Sequence, residues 1–316
     1  MTPAFDLDWI ATALGARSAR HRARIQSLWS GYGELFRIEL DGGSHRTAVV
    51  KWARPPAGAA SDVSTTRKLR SFEVEAAFYR TVAPRCDHSC RVAAVLTSRA
   101  SEREWVLVLE DLDAAGYDLR ADEASHAQLD ATLAWLASFH ARFLGERDAQ
   151  LGTGTYWHLE TRRTELPAIT DAELQAAAPA LARRLAGAEY QTLLHGDAKD
   201  ANFCFARDGR VAAVDFQYAG RGCGIVDVAY LLYGRGDEPA DGIDRVQLDA
   251  YFRHLRAELA RQPAVDVVAL EAEWRVLYPV ARLDFCRFLA GWRPSLWQAD
   301  ARGQRFVRTT LRSTLI

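Results

Sequence analysis

Lysine is nearly missing from this chain. Of its 40 basic residues only Lys51, Lys68 and Lys199 are lysines; the rest are arginines. Where a lysine persists against such a bias, the position calls for a compact, point-like ammonium in place of a planar fork. A basic excess is missing as well. The 41 acidic residues leave a formal net charge of −1, which argues against a dedicated nucleic-acid binder with a basic stripe. No apolar run reaches the length of a membrane span. The opening MTPAFDLDWIATALGARSAR lacks the long apolar core of a signal peptide. Cysteines are few, odd in number and scattered (Cys86, Cys90, Cys204, Cys223 and Cys286), which reads as free thiols in a reducing compartment. These absences predict a soluble, cytoplasmic chain with no membrane span and no nucleic-acid partner.

What is present is ordinary globular material. The 316 residues are 49% apolar and 26% charged. That length suggests about two domains, and it buries enough surface to fold without a disulfide or metal staple. Strand signals come first: Glu34–Leu40 alternates, Asp41-Gly42-Gly43 turns, and Thr47–Trp52 follows. A helix is expected over Arg67–Thr81, then strands over Arg91–Leu96 and Glu104–Leu109. From Asp111 onward the patterning is helical, over 127–143, 171–185, 244–259, 267–292 and 295–315. The short apolar runs Leu193-Leu194 and Val211–Val214 read as a buried hairpin. The composition shift near residue 111 is the expected boundary between a small β-rich part and a larger helical one.

The densest chemical signal is Leu194-His195-Gly196-Asp197-Ala198-Lys199-Asp200-Ala201-Asn202, followed by Val214-Asp215-Phe216-Gln217. Phosphoryl transfer needs a carboxylate to orient a hydroxyl and accept its proton, and oxygen ligands to hold Mg²⁺ on the phosphates. Asp197 suits the first task; Asn202 and Asp215 suit the second. Taken singly, each acid could equally be a helix cap or a solvated charge. The ordered set argues otherwise.

The pattern H-G-D-x-x-x-x-N with the later V-D-F resembles the aminoglycoside phosphotransferase and choline kinase superfamily. That resemblance implies an α+β, bilobal, protein-kinase-like fold, with a nucleotide-binding lobe over 1–111 and a catalytic lobe over 112–316. It implies ATP and Mg²⁺ as cofactors and a hydroxyl-bearing small molecule as acceptor. Lys51, at the end of Ala48-Val49-Val50-Lys51, matches the strand lysine that grips the α/β-phosphates. Glu75 matches its helix partner, with Glu73 as competitor; two residues apart on a helix, at most one can face Lys51. Gly31 and Gly33, in Ser30-Gly31-Tyr32-Gly33, match a phosphate-covering loop or form a simple turn. Glu110 and Leu112 match the hinge whose backbone meets adenine. Lys199 is either a contact to the transferring phosphate or an exposed loop lysine. Asp227, in Gly224–Leu232, is expected to cap a helix and brace the catalytic loop.

H-G-D in place of H-R-D, D-F-Q in place of D-F-G, and only twelve positions between Asp215 and Asp227 favour a small-molecule acceptor over a protein one. Arg67–Phe72 and the E-x-x-F-Y helix resemble the ecdysteroid kinase-like and choline kinase-like branch. The alternatives are a nucleotide-binding pseudokinase and a protein-directed kinase. Two further features have two readings. Cys86-Asp87-His88-Ser89-Cys90 is a set of free thiols or an unusual metal motif. Asp284, among Trp274, Tyr278, Trp292 and Trp297, is a salt-bridged core acid or a contact for a cationic acceptor.

Overall fold

The computed structural model describes residues 5–28, 31–56, 62–101, 103–235 and 243–315. Ser30, the first residue of the expected phosphate loop, lies outside these. The chain is α+β, with strands early and helices late. In order come α1 (Asp8–Ala13), β1 (Ser18–Ser27), β2 (Gly33–Asp41), β3 (Thr47–Ala53), α2 (Val63–Thr81), β4 (Arg91–Val92), β5 (Val95–Ser101) and β6 (Glu104–Glu110). Then follow α3 (His126–Arg142), α4 (Leu159–Arg162), α5 (Ala172–Ala186), β7 (Thr192–Leu194), β8 (Phe203–Phe205), β9 (Val211–Ala213) and β10 (Gly220–Gly222). The chain continues through α6 (Ile225–Leu231), α7 (Ile243–Leu259), α8 (Val267–Trp292), α9 (Pro294–Ala299) and α10 (Ala301–Leu315).

These elements form two compact units. The sheet unit takes Met1–Asp87, Arg91–Arg120 and Cys204–Gln217; the helical unit takes the remainder. The sheet unit is built on a five-stranded antiparallel sheet in the order β1-β2-β3-β6-β5. Phe36, Ile38, Ala48, Val50, Trp52, Val106 and Val108 fill one face and pack with Ile10 of α1. Alternation then puts Leu35, Lys51 and Leu107, which are register partners, on the opposite face. Phe72 of α2 packs with Leu28, Tyr32, Ala53 and Trp105. The Asp62 side chain starts α2 by accepting the Thr65 N–H at 2.7 Å. Gly33 opens β2 at φ +130°, where a Cβ would stand 1.9 Å from the Trp52 carbonyl oxygen; only glycine fits there.

β1 is the strand the sequence hides. Its ten residues are almost wholly exposed, so no apolar alternation marks it. Arg20 pairs with Glu39 of β2, and Arg17, just before the strand, with Asp41. Such charges blunt a sheet edge against pairing with another chain. The expected hairpin between 193–194 and 211–214 does not form. β7 pairs with β10 in the helical unit, while β9 pairs in parallel with β4 and lies beside β8. Both runs are apolar because both are buried, and burial alone does not name the partner strand. The expected strand 91–96 likewise splits into β4 and the start of β5, which belong to different sheets.

In the helical unit Ser125 and Gln128 form a reciprocal capping box that starts α3. Asp266 caps α8 through the Ala269 N–H at 2.9 Å. Among the described residues no helix is long and apolar enough to cross a membrane.

An ion cluster ties β2 to the segment after β6. Arg37 reaches Asp111 at 2.7 Å and Asp113 at 2.5 Å. Burial alone would raise the Asp111 carboxyl, but hydrogen bonds from Arg37 and Thr47 outweigh it and hold the carboxyl below its usual range. Its stabilisation is therefore present above the unfolded value and lost as pH falls through the lower folded one. Asp111→Asn is expected to cost about 1–2 kcal/mol at pH 7. Thermal melting of both proteins from pH 7 to 3 should show that gap closing below about pH 4.

Candidate active site

The strand lysine lies at the centre of the sheet unit's chemistry. Lys51 is 8% exposed. Its Nζ lies 2.7 Å from Glu75 Oε2 on α2 and 2.9 Å from Asp215 Oδ1. Glu73 is exposed and meets Arg70 at 3.1 Å. Burial alone would lower the Lys51 ammonium, but the Asp215 and Glu75 carboxylates overcome it and hold the group above its ordinary value. Lys51 is thus a fixed cation at neutral pH.

Asp215 has a left-handed backbone, φ +67°, a conformation that a short polar side chain tolerates better than most. The neighbouring side chains hold it there. Phe216 stacks on Phe78 of α2 with centroids 3.8 Å apart and meets Tyr79 edge-on. Gln217 Oε1 accepts from Lys68 Nζ at 2.8 Å and from Ser71 Oγ at 3.2 Å. Lys68 and Gln217 were not among the expected site residues; the scarcity of lysine was the signal that could have found Lys68.

Gly31 and Gly33 both have positive φ in the turn joining β1 to β2, where the Leu28 N–H donates to the Gly33 carbonyl at 2.8 Å. The Glu110 carboxylate binds Arg91 and accepts the Ala94 N–H. Leu112 is buried, and its carbonyl accepts the Tyr117 N–H at 2.8 Å. An open hollow of about 810 Å³ in this unit is lined by Arg37, Asp41, His45, Thr47, Asp111 and Asp113 among others. Lys51 and Asp215 do not line it, and its Arg22–Glu39 and Arg37–Asp111–Asp113 charges are paired with one another, so it is not part of the candidate site.

The helical unit holds the other cluster. Asp197 is 5% exposed. Its Oδ2 accepts from Lys199 Nζ at 2.8 Å and from Asn202 Nδ2 at 3.0 Å, and Asn202 Nδ2 also reaches the Asp197 carbonyl at 2.8 Å. Lys199 is half exposed, its ammonium resting on the carboxylate. This loop is pinned at both ends. Asp227 is fully buried and accepts the backbone N–H groups of His195 at 2.7 Å and Gly196 at 3.0 Å. It also lies 3.2 Å from His140 Nε2. Asp200 accepts the Ala124 N–H at 2.9 Å and pairs with Arg235. Asp227 braces the loop but does not cap α6: Gly224 holds that position, and no side chain caps the helix.

Hard oxygen donors such as the Asp215 carboxylate and the Asn202 amide suit Mg²⁺. Among the described residues no three His, Cys, Asp or Glu side chains gather as metal ligands, so Cys86-Asp87-His88-Ser89-Cys90 is no metal site there. Asp284 is 4% exposed and pairs with Arg287 at 2.7 Å, which is the salt-bridged reading of that acid. Trp274 and Trp297 are buried, while Trp292 is 40% exposed.

The model of the phosphotransferase enzyme family matches residues 24–264 of the chain. No curated protein matches it. Among solved structures it is similar to a thermostable mutant of aminoglycoside phosphotransferase APH(4)-Ia in complex with ADP and hygromycin B. The identity is 14%, over 96% of this chain and 98% of that one, with a TM-score of 0.49. It is also similar to choline kinase LicA from Streptococcus pneumoniae, with 15% identity over 95% of each chain and a TM-score of 0.46. A type VIII aminoglycoside-3'-phosphotransferase shows 18% identity over 83% of this chain and 93% of that one, with a TM-score of 0.44.

The Asp227 brace is directly testable. In Asp227→Asn one carboxylate oxygen becomes an amide NH₂, which cannot accept and opposes a backbone N–H. A loss of about 1–3 kcal/mol is expected. Urea unfolding of wild type and variant measures it; an unchanged midpoint would show that the buried carboxylate does not hold the loop.

Proposed function

This chain belongs to the phosphotransferase enzyme family, and from that premise we propose that it is a small-molecule kinase that uses ATP and Mg²⁺ to phosphorylate a hydroxyl. The observation that carries this reading is the buried Lys51 ammonium on Glu75 and Asp215. A permanently charged, fixed cation on a sheet face suits the phosphates of a nucleotide.

Lys51, oriented by Glu75, would bind the α/β-phosphates. The backbone of Gly31 and Gly33 would cover the phosphates, where side chains would obstruct. The backbone of Glu110 and Leu112 would take the adenine. Asp215 and Asn202 would hold Mg²⁺, which when bound neutralises phosphate charge.

Asp197 would orient the acceptor hydroxyl. As transfer proceeds, the acceptor oxygen bonds to the γ-phosphorus. The bond from that phosphorus to the bridging oxygen breaks, and ADP leaves with the electron pair. The hydroxyl proton passes to Asp197, late in the step because a loose transition state demands little base strength. Lys199, on the same carboxylate, would stabilise charge developing nearby. Nothing in this scheme needs a peptide-docking surface, and the acceptor is a small molecule of the cytoplasm.

The test is ADP release with Mg²⁺-ATP over choline, ethanolamine, aminoglycosides, hexoses, amino sugars, sterols and macrolides. Asp197→Asn is expected to lower acceptor-dependent turnover by about two to four orders of magnitude with ATP affinity kept. Lys51→Ala is expected to weaken ATP binding by about 10–100-fold. If Asp197→Asn lost ATP binding and turnover together, the role assigned to Asp197 would fail. Tight ATP binding with no transfer to any acceptor would favour a nucleotide-binding regulator.

A further inference from the structure

Beside Asp197 the helical unit presents a group of aromatic rings that the scheme above leaves unused. Burial and the nearby Asp197 carboxylate raise the phenol of Tyr230, on α6, above its ordinary value. Tyr156 Oη donates to Tyr230 Oη at 3.3 Å. The Tyr156 ring is the hub, with centroids 5.4 Å from Tyr218, 5.2 Å from Phe288 and 6.4 Å from Trp292. Phe288 and Trp292 lie one turn apart on α8 and stack at 5.0 Å. Phe288 is buried, the three tyrosines are partly exposed, and Trp292 is open to solvent. The rings therefore lead from the carboxylate to the surface.

The charges on these rings restrict what they can take. Aromatic faces attract cations, but the chain has already placed its own cations there. The Arg162 guanidinium lies 5.8 Å from the Tyr156 centroid and 5.2 Å from that of Phe288. Arg293 lies 4.4 Å over Trp292. Among the described residues, acids of this region are already paired: Asp197 with Lys199, Glu165 with Arg162 at 3.0 Å, and Asp284 with Arg287. A cationic acceptor would meet guanidinium where it needs an open ring face or an unpaired carboxylate. Burial first, and the Asp197 charge second, keep Tyr156 and Tyr230 protonated. The phenols thus offer hydrogen bonds without charge.

We infer that the acceptor is an uncharged, ring-bearing alcohol that packs on the solvent-open part of Trp292, 40% exposed, while its hydroxyl reaches Asp197. This inference rests on the proposed transfer to a hydroxyl. It assigns Trp292 to acceptor affinity and Arg162 to the exclusion of cations.

Calorimetric titration of the full chain tests it with phenyl β-D-glucopyranoside as the neutral probe and choline and kanamycin as cationic ones. The glucoside is expected to bind more tightly than either cation. Trp292→Ala should weaken it by about tenfold, the scale of one lost ring contact, and Trp292→Phe should restore most of that. Arg162→Gln should improve choline binding relative to the glucoside, with melting checked because Arg162 also supports the Tyr156 carbonyl. Tighter binding of choline or kanamycin by wild type would overturn the inference. So would no glucoside binding, or glucoside binding untouched by Trp292→Ala. A Mg²⁺-ATP titration of the same preparation separates the two readings. Failure with the glucoside but intact ATP binding refutes only the acceptor class, whereas absent ATP binding refutes the kinase reading itself.

Discussion

The sheet unit depends on one buried ammonium. Lys51 brings a charge into a site that is only 8% exposed, and such a charge is stable only when paired and hydrogen-bonded. Glu75 and Asp215 supply the pairing from two other elements, α2 and the segment after β9. Removing one partner of a buried pair typically costs about 3–5 kcal/mol, because the remaining charge is stranded. The strand, the helix and the Asp215 segment are therefore held in mutual register by a single group. The Phe78–Phe216 stack and the Lys68–Gln217 hydrogen bond add packing to that electrostatic constraint, and they keep Asp215 in a backbone conformation it would not choose alone.

The helical unit solves a similar problem with the signs reversed. Its buried carboxylate, Asp227, is satisfied by backbone amides of the catalytic loop and by His140. A carboxylate accepting two amide N–H groups fixes a loop without using side chains that must remain available for chemistry. Asp197 is thereby carried on a rigid support. Its own contacts, to Lys199 and Asn202, belong to orientation and charge. The division between bracing acids and working acids follows burial: Asp227 is wholly enclosed and spends both oxygens on the backbone, whereas Asp197 keeps a small exposure beside partly open rings.

Much of this was legible in the chain. Rarity of lysine marked Lys51 and Lys199, and the structure adds Lys68, so all three lysines touch these two clusters. Helical periodicity found α3, α5, α7 and α8 to within a few residues, although α8 is buried on every side over Val280–Phe288. It failed at β1, an exposed edge whose side chains carry no burial signal, and at the short strands β7 and β9. Those runs are buried on every side, so their pattern announces a core without naming a neighbour. Helical geometry allowed only one of Glu73 and Glu75 to face Lys51. Packing of Phe72 and Phe78 toward the core, with Glu73 left on the outer face, decided which.

By itself, then, the sequence determined the chemistry-bearing sets: a strand lysine, an H-G-D-x-x-x-x-N loop and a V-D-F segment, each defined by local spacing that the backbone geometry of a strand or loop converts into position. Only the tertiary structure decided the long-range choices. It returned Cys204–Gln217 to the sheet unit, buried Asp284 on Arg287, and gathered Tyr156, Tyr230, Phe288 and Trp292 beside Asp197. The reason is physical. Local spacing sets which face of an element is apolar or charged, but the partner of that face is chosen by the joint packing of elements far apart in the chain.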